Sequence, residues 1–170
     1  ARCAVRNGYR EELRVNCVSA RCENYEAAFA WVRERFSMNA FDESMMREAL
    51  REAESALSAG ELPVGCVIAK DGAIVARGHN ERETTLDPTA HAEIVALRRA
   101  AKALNAWRLN GCTLYVTLEP CPMCAGAISQ ARVSRLVYGA PDPNQGCAGS
   151  VYRIPEDPAF SHFCPSDGGA

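Results

Sequence analysis

The sequence lacks any run of about 18 apolar residues, the length that a helix needs to cross a bilayer. Its first thirty residues also lack the apolar stretch of a secretory signal. These absences predict a protein without a membrane association, and we expect a cytoplasmic location.

Histidine is scarce, with three in 170 residues, and the nine cysteines form no regular framework. An odd number of cysteines without regular spacing is typical of free thiols in a reducing compartment. Only Cys121 and Cys124 stand at the spacing of a metal-binding or redox pair. The sequence has no second pair that would complete a structural zinc site with four protein ligands.

Positive charge is not in excess. Lys and Arg number 19 against 21 Asp and Glu, which gives a formal net charge of −2. This balance gives no general signal for nucleic-acid binding, so a polyanion would need a local basic patch. The candidates for such a patch are Arg98, Arg99, Lys102, Arg108, Arg132, Arg135 and Arg153.

Two segments of the chain differ in composition. Residues 1–37 are rich in arginine, contain no methionine or proline, and show one helical pattern, in NYEAAFAWVRERF. The first methionine is Met38, and a strongly patterned helix follows it. We therefore predict that residues 1–37 are an extension of doubtful relevance and that residues 38–170 form the functional domain.

Helical and strand patterns alternate after Met38. DESMMREALREAESALSA has an apolar stripe at helical spacing, and PVGCVIAK and AIVARGHN are β-rich runs joined by the favoured turn Asp71-Gly72. A helix (AHAEIVALRRAAKAL), a strand (CTLYVTL), a helix (PCPMCAGAISQA) and a strand (VSRLVYGA) follow. This alternation predicts an α/β fold whose mixed sheet has helices on both faces. The proline-rich tail after Tyr138 shows no final helix.

The paired cysteines are predicted to lie at a helix start. Pro120 and Pro122 place Cys121 there, with Cys124 one turn further on the same face. A helix N-terminus lowers the pKa of a thiol, which suits a zinc ligand and a redox cysteine equally. The pair alone therefore leaves both roles open. The small residues that follow, Ala125 and Gly126, predict close packing of this helix.

His91 is the best candidate for a third ligand because Glu93 follows it at the start of a predicted helix. One His and two Cys leave one tetrahedral position for a water, whose pKa zinc lowers to about 7. A carboxylate beside that water, not bound to the metal, is the proton carrier that hydrolysis requires. The sequence thus predicts zinc ligands His91, Cys121 and Cys124 and a catalytic Glu93.

The motifs HAE and PCPMC together match the H-x-E and P-C-x-x-C signature of zinc nucleobase deaminases. From Met38 to about His162 the chain also resembles the bacterial tRNA-specific adenosine deaminases. The motifs that carry this resemblance are LPVGCVIAKDGAIVARGHN, DPTAHAEIVALR, WRLNGCTLYVTLEPCPMCAGAI, YGAPDP and GCAGS.

The resemblance implies a three-layer α/β/α sandwich of the cytidine-deaminase type, with a mixed sheet of about five strands. It also implies a homodimer, one zinc ion per subunit, and conversion of the wobble adenosine in a tRNA anticodon loop to inosine. By position, Asn80 would hold the flipped base or its ribose, and Asp142 would contact the nucleic-acid backbone. The family usually has a further C-terminal helix, which this sequence does not show.

Two other functions remain open at this point. A deaminase of a free base or nucleotide, of the guanine or cytosine type, would keep the same metal site, and a net charge of −2 suits it better. A non-catalytic binding module stabilised by zinc is the other alternative. Such a module would have no use for Glu93, since a structural site does not need a carboxylate that does not bind the metal.

Overall fold

The computed structural model describes residues 39–168. The helix predicted within residues 1–37 and the domain start at Met38 lie outside the described residues.

The described chain alternates between helices and strands. In order, its elements are α1 (Ala40–Ser58), β1 (Gly65–Lys70), β2 (Ala73–His79), α2 (Arg82–Thr85), α3 (Ala92–Ala103), β3 (Cys112–Leu118), α4 (Pro122–Gln130), β4 (Arg135–Ala140), a 3-10 helix (Ile154–Glu156) and β5 (Ser166–Gly168). The predicted order of helix, hairpin, helix, strand, helix and strand is confirmed. Within residues 39–168, no helix has the length and apolar character to span a membrane.

The strands form one mixed sheet in the order β2-β1-β3-β4-β5. β1 pairs antiparallel with β2 and β3, whereas β3–β4 and β4–β5 are parallel. The predicted five-stranded mixed sheet is therefore confirmed. Two short elements gave no signal in the sequence: α2 is a single turn within a polar loop, and β5 (Ser166–Gly168) consists of two polar residues and a glycine.

Helices cover both faces of the sheet, which confirms the predicted three layers. A Cβ on Gly65 would overlap the backbone of α1, and one on Gly78 would lie 2.6 Å from the carbonyl oxygen of Ala92 in α3. Gly78 pairs with Cys66, the neighbour of Gly65, and neighbouring residues on a strand face opposite sides. It follows that α1 and α3 pack on opposite faces, each against a glycine that permits close approach.

Asp42 fastens the start of α1 to the sheet. Its buried carboxylate accepts hydrogen bonds from the hydroxyl of Tyr115 at 2.7 Å and from Nη1 and Nη2 of Arg135 at 2.8 and 3.0 Å. Burial raises the pKa of Asp42, but these hydrogen bonds and the charge of Arg135 outweigh burial and hold that pKa below its usual value. The network joins α1, β3 and β4 on the face opposite α3.

Candidate metal centre and active site

His91 caps the start of α3. Its φ of −71° and ψ of 155° are extended, so the helix begins with Ala92. In a regular helix the side chains of His91 and Glu93 would point about 200° apart. Because His91 lies outside the helix, both side chains can face one site. The close approach of β2 at Gly78 fixes where this helix start lies.

Cys121 caps α4 in the same way, with a φ of −71° and a ψ of 173°, and Pro122 is the first helical residue. This confirms the helix start that the prolines predict, and Cys124 follows in the first turn. Ala125 is fully buried, as the prediction of close packing requires. The same prediction is wrong at Gly126, where an added Cβ would have no atom within 4 Å.

The structure brings the three predicted ligands together. Nδ1 of His91 lies 3.7 Å from Sγ of Cys121 and 3.6 Å from Sγ of Cys124. With typical zinc–sulfur and zinc–nitrogen distances, two tetrahedral ligand atoms stand about 3.5 Å apart. The donor set and its spacing therefore fit a zinc ion. Among the described residues, this is the one such group of three His, Cys, Asp or Glu side chains.

The thiols of Cys121 and Cys124 differ in pKa. A hydrogen bond from the Cys124 side chain lowers the pKa of Cys121 to about 5, outweighing burial, and the N–H groups of Met123 and Cys124 and the nearby His91 add to the effect. The same hydrogen bond and burial raise the pKa of Cys124. Cys121 is thus a thiolate near neutral pH, ready for a cation, and a bound metal would displace the remaining thiol proton.

Glu93 lies beside the ligands and is 4% exposed. Burial raises the pKa of its carboxyl to about 7, and the charge of Cys121 adds to this, against hydrogen bonds from its own backbone N–H and from the Cys124 thiol. A carboxyl with a pKa near neutrality can both accept and release a proton under working conditions. This position and this pKa suit the proton carrier that the sequence predicts, and that role of Glu93 stays a prediction.

Asn80, at the end of β2, is buried and held by a second buried side chain. Its Nδ2 donates to Oε2 of Glu61 at 3.1 Å. The other carboxylate oxygen of Glu61 accepts from the backbone N–H and the hydroxyl of Thr84 in α2, at 2.8 and 2.9 Å. Glu61 therefore fixes the amide of Asn80 relative to α2. The substrate contact expected of Asn80 stays a prediction.

Asp142 lies in the loop after β4, formed by residues 141–150. Its Oδ1 accepts from the backbone N–H groups of Asn144 and Gln145, at 2.9 and 3.3 Å. Its own N–H donates to Oε2 of the buried Glu119, at 2.9 Å. Asp142 thus shapes the loop through its own carboxylate, and its expected contact with nucleic acid stays a prediction.

Two buried carboxylates, Glu61 and Glu119, were not predicted from the sequence. Glu61 stands directly before the motif LPVG, and Glu119 stands directly before PCPMC. The signal in the sequence was an acidic residue directly beside a leucine and close to a proline. Such a position is compatible with a buried carboxylate as well as with a solvated loop residue. Spacing could not reveal their partners, because these lie 19 to 31 positions away.

All six arginines proposed for a basic patch have a partner within the protein. Arg98 pairs with Asp87, Arg99 with Glu81, Arg135 with Asp42 and Asp167, and Arg153 with Glu156. Arg132 donates to Ser161, and the Arg108 guanidinium lies 4.1 Å from the ring centroid of Trp107. Any polyanion would have to share these groups with their present partners.

The comparisons agree with this geometry. A family model described as the cytidine and deoxycytidylate deaminase zinc-binding region matches residues 39–140. The chain therefore belongs to the zinc-binding family of cytidine and deoxycytidylate deaminases. Its fold and its zinc-type ligand set are those of a hydrolytic deaminase.

Two curated relatives are tRNA deaminases. A tRNA-specific adenosine deaminase of Bacillus subtilis is 50% identical over 121 residues, which are 71% of this chain and 75% of the relative. A chloroplastic tRNA(adenine(34)) deaminase of Arabidopsis thaliana is 53% identical over 132 residues, 78% of this chain and 10% of that much longer relative.

Two solved structures are also similar. One comes from studies of A-to-I editing by tRNA:A34 deaminases at the wobble position; it is 47% identical, has a TM-score of 0.71 and covers 74% of this chain and 97% of its own. The other, a guanine deaminase of Bacillus subtilis, is 48% identical with a TM-score of 0.58 and covers 61% and 66%.

Proposed function

We propose that the chain catalyses the zinc-dependent hydrolytic deamination of adenosine to inosine at the wobble position of tRNA. The observation that carries the chemistry is the buried Glu93 carboxyl beside two thiols and an imidazole that fit zinc. The 50% identity to a tRNA-specific adenosine deaminase carries the choice of substrate.

His91, Cys121 and Cys124 would hold the metal, and Glu93 would move the protons. Zinc, when bound, supplies the Lewis acidity that activates a water near neutral pH. Glu93 would take a proton from the water whose oxygen attacks C6 of adenine, and would pass that proton to the ring nitrogen. Glu93 would then take the second proton of the water, now on the C6 hydroxyl, and transfer it to the leaving amino group, so that ammonia departs and a C6 carbonyl remains.

The substrate arrangement follows the fold. Asn80 is proposed to bind the flipped base or its ribose, because it is buried and held rigid by Glu61 at the end of β2. Asp142 is proposed to meet the nucleic-acid backbone from the 141–150 loop. An anticodon loop suits this site because its bases are already unpaired, so that extruding one costs little.

The test is direct. Zinc-loaded protein is incubated with an arginine-tRNA anticodon stem-loop and, separately, with free adenosine, guanine and cytosine. Nucleoside mass spectrometry then scores the products. We expect inosine in the stem-loop and little turnover of the free compounds. Turnover of a free base with an untouched stem-loop would overturn the proposal.

Deamination of a free base is the second candidate. The 48% identity to a structure described as guanine deaminase favours guanine within that class. The same incubation separates tRNA editing from guanine deamination. Guanine deamination forms xanthine, which editing of the stem-loop does not form.

A homodimer and a cytoplasmic location are proposed on the resemblance to the family. Sedimentation of the purified protein tests the first: a monomer at the concentration at which the enzyme is active would contradict it. Cell fractionation tests the second.

A further inference from the structure

Glu119 is a buried carboxylate beside the metal centre to which the reaction gives no role. It follows β3, stands two residues before Cys121, and is 2% exposed. Its Oε1 accepts from the backbone N–H groups of Ala148 and Ser150, each at 2.9 Å. Its Oε2 accepts from the N–H of Asp142 at 2.9 Å and from the hydroxyl of Ser150. One side chain thus satisfies donors from both ends of the 141–150 loop.

The loop is fitted closely around this carboxylate. A Cβ on Gly146 would overlap the Glu119 carboxylate and lie 2.5 Å from the carbonyl oxygen of Asp142. The N–H of Cys147 donates to the carbonyl oxygen of Pro120, at 2.8 Å. The loop therefore rests on the two residues that lead directly into the ligand Cys121.

The other side of the loop is open to solvent. Pro143, Asn144 and Gln145 are exposed, whereas Gly146, Cys147 and Ala148 are buried. The hydrogen bonds that hold the loop are thus on its inner side, and its outer residues are accessible to a ligand. A loop fixed before binding does not have to be ordered by the ligand, which preserves affinity.

We propose that Glu119 is a positioning residue that holds the 141–150 loop as a preformed wall of the RNA-binding site. This inference rests on the proposed function. Glu119 does not touch the predicted metal ligands through any of these hydrogen bonds, so it sets the affinity for the RNA and leaves the chemical step to Glu93.

The substitution Glu119→Gln tests one bond in particular. It keeps the size of the side chain but replaces one acceptor oxygen with an NH2 group. The Oε1 position receives two backbone N–H groups, so the amide oxygen belongs there. At the Oε2 position the Ser150 hydroxyl can turn and accept from the NH2 group, whereas the Asp142 N–H cannot. The variant therefore releases the start of the loop.

Glu156→Gln is the matched control. Oε1 of Glu156 also accepts a backbone N–H, that of Ser166 at 2.8 Å, but Ser166 lies in the edge strand β5. The amide oxygen of the new side chain can keep this bond, and its NH2 group replaces the acceptor of Nη1 of Arg153, at 3.1 Å. The variant therefore removes one negative charge and one hydrogen bond outside the 141–150 loop. Gly146→Ala is a second route to the same loop, since its Cβ would push against the Glu119 carboxylate.

Two measurements decide the inference. Binding of the anticodon stem-loop is measured by fluorescence anisotropy in an inactive Glu93→Gln background, and kcat and KM are measured in the active background. For Glu119→Gln we expect a Kd and KM about tenfold higher, equivalent to about 1.4 kcal/mol, with kcat within about twofold and an unchanged zinc content. Gly146→Ala is expected to show the same pattern, and Glu156→Gln an unchanged Kd.

Three results would overturn the inference: an unchanged Kd in both loop variants, an equal rise in Kd for Glu156→Gln, or a loss of zinc or of kcat with KM unchanged. Failure of the proposed function is a separate result. In that case the wild-type protein itself does not deaminate the stem-loop, and both proposals are wrong.

Discussion

The substitution Gly78→Ala probes how β2 places the metal site. An added Cβ would lie 2.6 Å from the carbonyl oxygen of Ala92 and 2.7 Å from the nitrogen of Ala96, whereas ordinary contacts begin at 3.4 Å. Both neighbours are backbone atoms of α3, so no flexible side chain can yield. The first turn of α3 would have to move away from the sheet by about 0.8 Å.

This movement has two consequences of different size. Overpacking of this kind costs about 1–3 kcal/mol of unfolding free energy. The same movement displaces His91, which precedes Ala92, relative to the two cysteines of α4. Metal sites tolerate errors of only about 0.2 Å in ligand distance. We therefore expect zinc affinity to fall about 10- to 100-fold, the range seen when groups that orient ligands are removed.

Gly126→Ala is the matched control, because Gly126 lies in α4 and an added Cβ there would have no atom within 4 Å. Replacing a helical glycine of this kind stabilises by up to about 1 kcal/mol. The assay pairs thermal unfolding with chelator competition for zinc. An unchanged Tm and zinc affinity in Gly78→Ala would refute the reasoning. A lower Tm with unchanged zinc affinity would show that α3 does not determine the position of His91.

Three further predictions follow from the same structure. Glu93→Gln should retain zinc but lose about 10²- to 10⁴-fold in kcat, because it removes the proton carrier; product formation near the wild-type rate would contradict this. Cys121→Ala should lose zinc, as measured by metal analysis. The matched control Cys112→Ala changes a buried cysteine outside the ligand group and should retain zinc. Asp42→Asn should lower stability at pH 7, because the pKa of Asp42 is held below its usual value in the folded protein. That contribution is present above the unfolded pKa of about 3.9 and is lost as the pH falls through the folded pKa, so the two proteins should converge in stability in acid; a difference in the free energy of unfolding that does not shrink would contradict the assignment.

The sequence by itself predicted the order of the larger elements, which is confirmed, and four residues that the structure brings together at the candidate metal centre. Both depend on local rules. The apolar periodicities specify each helix and strand, and the prolines at positions 120 and 122 specify where α4 begins. The four residues lie in or directly before the first turns of α3 and α4: His91, Glu93, Cys121 and Cys124. Their spacing along the chain was therefore enough to predict a metal site.

Such local rules could not predict the two short elements, β5 and α2. β5 has three polar or glycine residues and exists because its backbone pairs with β4, with Ser166 opposite Leu136 and Gly168 opposite Tyr138. α2 is one turn, and the Glu61 carboxylate accepts hydrogen bonds from its Thr84. Neither segment has enough residues for a periodicity to show.

Tertiary structure also decided the roles of the charged residues. Glu61 and Glu119 resemble surface residues in the sequence, yet both are buried because donors from distant segments surround their carboxylates. Several arginines that suggested a basic patch are instead paired within the protein. The same physical reason explains the buried glutamates and the paired arginines. A charge becomes buried, paired or free according to which groups folding brings within hydrogen-bond distance, and local sequence does not contain that information.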